Sequence, residues 1–108
     1  MSANPNRILA SLDIEPTYSA QEAAAFLGRS YSWLDQRLRA GDFVLPDGSP
    51  IQPTRTPTGY RRFTLKMLQD IATYCWARGW FSMADLEYTV RELLVAAYLM
   101  TGKWQIPE

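Results

Sequence analysis

The chain has 108 residues, is 47% hydrophobic and 20% charged, and carries no formal net charge; this composition excludes a disordered chain and fits one globular domain with a modest core. No apolar run reaches the length of a membrane span and the N-terminus lacks a signal-peptide pattern, so no membrane association is expected. With no histidine and one cysteine, Cys75, an internal disulfide, the usual zinc sets and His-based acid–base catalysis are excluded, and a reducing cytoplasm fits.

The carboxylates show no active-site spacing and there is no Gly-rich phosphate loop. The chain is therefore read as non-enzymatic, with no catalytic residue, metal or cofactor. The neutral total hides an uneven distribution. Residues 29–66 hold seven basic side chains against three acidic ones, while the segments on either side are each acidic by two charges. A local basic face is what phosphate binding needs, and overall neutrality does not forbid it.

Residues 1–17 read as a lead-in. Asn4 can cap a short helix with Pro5 at its first position, with Ile8, Leu9 and Leu12 packing on the body, and Pro16 stops it. Ser19 and Glu22 then form an S-x-x-E capping box. Ala23, Ala24 and Phe26-Leu27 give that helix an apolar side, Gly28 ends it and Ser30 caps the next. In the second helix Leu34 and Leu38 repeat at four-residue spacing beside Trp33, and Gly41 closes it. Two compact helices around a tight Gly-containing turn are either a helix-turn-helix, whose second helix enters a DNA major groove, or an ordinary helical hairpin.

Pro46, Pro50, Pro53 and Pro57 rule out a helix interior over 42–58. Asp47-Gly48 signals a tight turn. Ile51 to Arg55 and Gly59 to Phe63 read as two short extended pieces joined by a Thr-Pro-Thr-Gly turn, with Pro53 implying an edge or irregular strand. Such a ribbon after a helix-turn-helix is a wing, here carrying Arg55, Arg61 and Arg62. Thr64 caps a third helix over about 65–78, with Leu68, Ile71, Ala72, Cys75 and Trp76 on one face. Gly79 terminates it and Trp80-Phe81 are expected in the core. Ser82 caps a fourth helix, with Asp85 in its first turn and Leu86, Val90, Leu93, Leu94 and Ala97 in helical period to about Thr101. Residues 102–108 are a tail. The fold class is mostly α: a two-helix helix-turn-helix, a two-stranded wing and two further helices, forming one domain over 18–101.

This order of parts resembles the DNA-binding domain of the MerR-type regulators, and the phage excisionases share its first three parts. The likeness is carried by Tyr18-Ser19, Gly28-Arg29-Ser30, Leu34, Arg39-Ala40-Gly41, Gly59-Tyr60-Arg61-Arg62-Phe63 and Arg78-Gly79-Trp80-Phe81-Ser82, and it covers residues 18 to about 94. The second helix departs from the MerR pattern. Trp33 stands where a small or hydroxyl residue is usual, Asp35 where a basic one is, and Gln36-Arg37 replace an aromatic pair. Its Arg-Ala-Gly-Asp ending is closer to the excisionases. The segment from Gly41 to Gly59 is longer than in typical members, and the long dimerisation helix and effector domain that those regulators carry beyond the fourth helix are not expected here.

The resemblance implies a winged helix-turn-helix that binds double-stranded DNA sequence-specifically, as an excisionase or a small transcriptional regulator. It would work in the cytoplasm on the nucleoid of a bacterial or phage-infected cell, with an integrase or host protein as a possible partner. Candidate DNA-binding residues are Ser19, Ser30, Tyr31, Ser32, Gln36, Arg37, Arg39, Arg55, Tyr60, Arg61 and Arg62. Arg suits guanine edges and Gln adenine edges. Asp35 either accepts from a cytosine amino group or pairs with Arg39 one turn on. Ser19 and Ser30 serve as caps, as phosphate contacts at helix N-termini, or both. By resemblance Arg61 is the phosphate-contacting wing arginine; Arg62 reaches another phosphate or covers the body, and Tyr60 is a wing contact or a core residue. The alternative function is a protein–protein interaction module on a helix-turn-helix scaffold. Helix 83–101 is longer than a small monomer needs, with Tyr88, Leu99 and Met100 off its core stripe, and it is a candidate homodimer surface.

Overall fold

Local signals set the helix boundaries. In a computed structural model, which describes the backbone of residues 16–101 and the side chains of residues 16–99, the Ser19 hydroxyl accepts from the Glu22 N–H at 3.1 Å and the Glu22 carboxylate accepts from the Ser19 N–H at 2.8 Å. This capping box opens helix α1, Ala20–Phe26. Gly28 then takes φ 66°, a left-handed conformation that only glycine adopts without cost, and the chain turns. Ser30 accepts from the Trp33 N–H at 3.1 Å and opens α2, Tyr31–Ala40, which Gly41 ends at φ 69°.

The segment after α2 folds back through its own turn. Ser49 donates its N–H to the Asp47 carboxylate at 2.9 Å, Ile51 donates its N–H to the Phe43 carbonyl at 3.0 Å, and Val44 bridges Pro50. Buried Phe43 and Ile51 fasten this loop to the body. An antiparallel ribbon follows, β1 Thr54–Arg55 and β2 Arg61–Arg62, with Thr54 opposite Arg62 and Arg55 opposite Arg61. It is shorter than the Ile51–Arg55 and Gly59–Phe63 pieces expected from sequence. Pro53 has no N–H to extend the ladder. Phe63 leaves the ribbon to exchange both backbone hydrogen bonds with Tyr18, at 2.8 and 2.9 Å.

Thr64 caps α3, Leu65–Ala77, by accepting from the Met67 N–H at 3.1 Å. Ser82 and Asp85 form a second capping box, with reciprocal bonds of 2.8 and 3.1 Å, at the start of α4, Met83–Thr101. Helices α3 and α4 pack together, α1 packs on α2, and α1 also touches α4. The described residues thus form four helices and one two-stranded antiparallel sheet. None of the helices is long and apolar enough to cross a membrane. The Asn4–Pro5 start and the packing of Ile8, Leu9 and Leu12 lie outside the described residues, as does the 102–108 tail.

The core joins Ala23, Ala24 and Leu27 of α1, Leu34 of α2, Phe43, Ile51 and Phe63 of the connections, and Leu68, Ile71, Ala72 and Cys75 of α3 to Phe81 and Leu93. Two sequence expectations are corrected. Trp76 is exposed, because it lies one residue round the helix from the buried Ile71–Cys75 row. On α4 the buried positions are Thr89 and Leu93, whereas Val90 and Leu94, each about 100° further round, are exposed. Apolarity alone does not find Thr89. Its side chain is 0% exposed and its hydroxyl has no hydrogen-bond partner among the described residues. A buried hydroxyl without a partner costs about 1–3 kcal/mol. Thr89→Val keeps the shape and removes that cost, so it is expected to raise stability by about 1 kcal/mol and the melting temperature by about 4–8 °C. A thermal melt that drops by as much contradicts the unpartnered hydroxyl.

Candidate functional site

Tyr31, Asp35 and Arg39 follow one another at four-residue intervals on α2, so their side chains stack on one face. That face looks across a groove of about 570 Å³ at the ribbon, which contributes Arg55, Arg61, Arg62 and Tyr60, while Ser19 and Gln21 of the α1 start line the same groove. Four arginines and one carboxylate therefore converge in one depression.

The ribbon is pinned to α2 by that carboxylate. Asp35 accepts from Arg61 through Oδ1 and from Arg39 Nε through Oδ2, both at 2.8 Å. The hydrogen bond from Arg61 is the main cause holding the Asp35 carboxyl below its usual range, assisted by Arg39. The two arginines differ in freedom: the Arg61 side chain is 13% exposed and that of Arg39 is 74% exposed. Arg62 donates to the Thr17 hydroxyl at 3.0 Å and to the Thr17 carbonyl at 2.7 Å, tying the ribbon base to the segment that precedes α1. Arg55 donates to the Gly59 carbonyl at 2.9 Å across the ribbon tip. That tip is closed by the Gly59 N–H on the Thr56 carbonyl at 2.8 Å. Tyr60 is 72% exposed and is not a core residue.

Of the residues expected at the site, Ser19, Tyr31, Arg39, Arg55, Tyr60, Arg61 and Arg62 meet at the groove. Ser30 caps α2, and Ser32 and Gln36 are exposed on that helix, but none of the three lines the groove. Arg37 is turned to the body. It binds Asp42 at 3.1 Å and lies over the Trp80 ring with its guanidinium carbon 4.8 Å from the ring centre. Its spacing of four from Trp33, which packs on Phe43 and Phe81, is the signal that puts it there. Arg29 works on the same side: it stacks on Phe81 at 4.6 Å and pairs with Asp85 at 3.4 Å, joining the α1–α2 turn to the α3–α4 link. Gln21, Thr56 and Thr58 line the groove without having been expected. Their presence follows from the ribbon tip folding toward the α1 start, a long-range approach with no local signature.

Cys75 is buried in α3, and burial pushes its thiol up to about 12. The thiolate that a nucleophile or sensor needs is suppressed there. The Cys75 side chain fills core volume.

No curated protein and no solved structure matches the chain. Residues 8–96, spanning the groove and all but the end of α4, match the model of the family described as Domain of unknown function (DUF7229), and the chain belongs to that family.

Proposed function

We propose that this protein binds double-stranded DNA sequence-specifically, as an excisionase-like protein or a small transcriptional regulator, through a winged helix-turn-helix of MerR or excisionase type. In this reading α1 and α2 are the helix-turn-helix and the β1–β2 ribbon is the wing. A helix about 10–12 Å across fits the roughly 12 Å major groove, and the ten residues of α2 extend about 15 Å along it. The wing lies on backbone or in the minor groove beside it. The observation that carries the reading is the groove itself. Arg39, Arg55, Arg61 and Arg62 meet exposed Tyr31 and Tyr60 there against a single carboxylate, Asp35. Clustered arginines match phosphate oxygens, and the polar helix face between them offers donors and acceptors to base edges.

A binding-site selection from random duplexes, followed by a salt titration of the selected site, tests this. The expected result is enrichment of one site and an affinity that falls linearly in log–log form with salt. Recovery of random sequences, or an affinity indifferent to salt, refutes the reading. A second reading is favoured by α4, where exposed Val90 and Leu94, one turn apart, border a depression with Leu65, Leu93 and Ala97. An apolar patch where two helices meet suits a protein partner, either a second copy or an integrase or host protein. A chain that selects no DNA but elutes as a dimer would take this second reading as its main function.

A further inference from the structure

We infer that Asp35 sets sequence discrimination in the groove, by discharging two of its four arginines and refusing DNA that offers only phosphate. The inference rests on the DNA reading above. Asp35 is the only carboxylate among the residues lining the groove, and each of its oxygens holds one arginine at 2.8 Å. The other two arginines bind neutral acceptors, Arg62 at Thr17 and Arg55 at Gly59, so they keep their whole charge for a partner. One pair in the groove is therefore uncompensated and one pair shares an anion.

The two arms of that shared anion behave differently. Arg61 has little solvent access and stays on Asp35, holding the ribbon against α2. Arg39 is open to solvent and can exchange Asp35 for a phosphate. Once Arg39 leaves, the Asp35 carboxylate faces polyanionic DNA with one partner instead of two. Like charges brought together at an interface suppress unsuitable partners. The penalty is removed when a base edge presents a donor to the vacated oxygen, which the exocyclic amino groups of cytosine and adenine supply in the major groove. A duplex with such a base opposite Asp35 binds; a duplex without one meets the repulsion. Asp35 thus lowers affinity for all sequences and lowers it least for the correct one.

Asp35→Asn keeps the size of the side chain and an acceptor oxygen but removes the charge. Measured against wild type, D35N is expected to bind unrelated duplexes about tenfold tighter and to steepen the salt slope by about 0.9. Its preference for the selected site over unrelated duplexes is expected to fall about tenfold. A second measurement needs no variant. Each cytosine or adenine of the selected site is replaced in turn by an analogue lacking the exocyclic amino group. The wild-type protein is expected to lose about tenfold in affinity at one position. An analogue series with no responsive position overturns the inference even if D35N fails to fold. Selective wild-type binding combined with an unchanged slope and preference in D35N overturns it while leaving the DNA reading intact. A wild-type protein with no selective, salt-dependent DNA binding overturns both.

Discussion

Phe63→Ala is expected to lose about 3–5 kcal/mol of unfolding free energy, the range for removing a fully buried phenylalanine. Phe63 is 0% exposed and belongs to the core formed by all four helices and the α2–β1 loop. Its backbone makes the two hydrogen bonds that join the end of the ribbon to Tyr18. The next residue, Thr64, caps α3. A void at Phe63 thus loosens the ribbon, the segment around Tyr18 and the start of α3 together. A domain of this size has roughly 5–15 kcal/mol in total, so the variant is expected to be marginal or unfolded at 37 °C. Urea denaturation followed by far-UV circular dichroism measures this. A midpoint within the scatter of wild type would mean that the cavity closes by repacking and that the ribbon is not anchored through Phe63.

The helix boundaries are legible in the sequence because caps are local. Ser19 with Glu22, Ser30, Thr64 and Ser82 each act within three residues, and Gly28 and Gly41 turn the chain where they stand. The extent of the ribbon is not legible, since it depends on Phe63 choosing Tyr18, 45 positions away, over the opposite strand. The buried stripe of α4 escapes the sequence for a related reason. Which side of a helix is covered depends on where its neighbours lie, and α1 and α3 cover Thr89 and leave the more apolar Val90 and Leu94 outside. At the groove, the basic residue types are visible in the sequence and their assignments are not. Arg37 and Arg39 are two residues apart on one helix, yet one stacks on Trp80 and the other stands in solvent. The Asp35–Arg39 pair follows from four-residue spacing, whereas the Asp35–Arg61 pair spans the fold and needs the ribbon in place.

On the proposed DNA-binding reading, a charge deletion is felt most at the groove arginines that Asp35 does not hold. Arg55→Ala with Arg62→Ala removes the two groove arginines whose charge no carboxylate offsets. Removing one arginine–phosphate interaction flattens the log–log salt dependence by about one, so the double variant is expected to flatten it by about two. Charge-assisted hydrogen bonds contribute about 1.5–3 kcal/mol each, which makes an affinity weakened roughly a hundredfold or more at moderate salt the expected result. The weakening is expected on selected and unrelated duplexes alike, because phosphate binding carries no sequence information. Arg91→Ala supplies the control: Arg91 is exposed on α4 and does not line the groove, so the slope is expected to stay at the wild-type value. Arg62 also holds Thr17, so urea unfolding of the double variant is measured alongside binding to separate weakened phosphate binding from a weakened fold. A folded double variant with the wild-type salt slope would place the DNA elsewhere on the molecule. Equal flattening by Arg91→Ala would mean that the protein attracts DNA through its whole surface charge, and the groove would have no special part in binding.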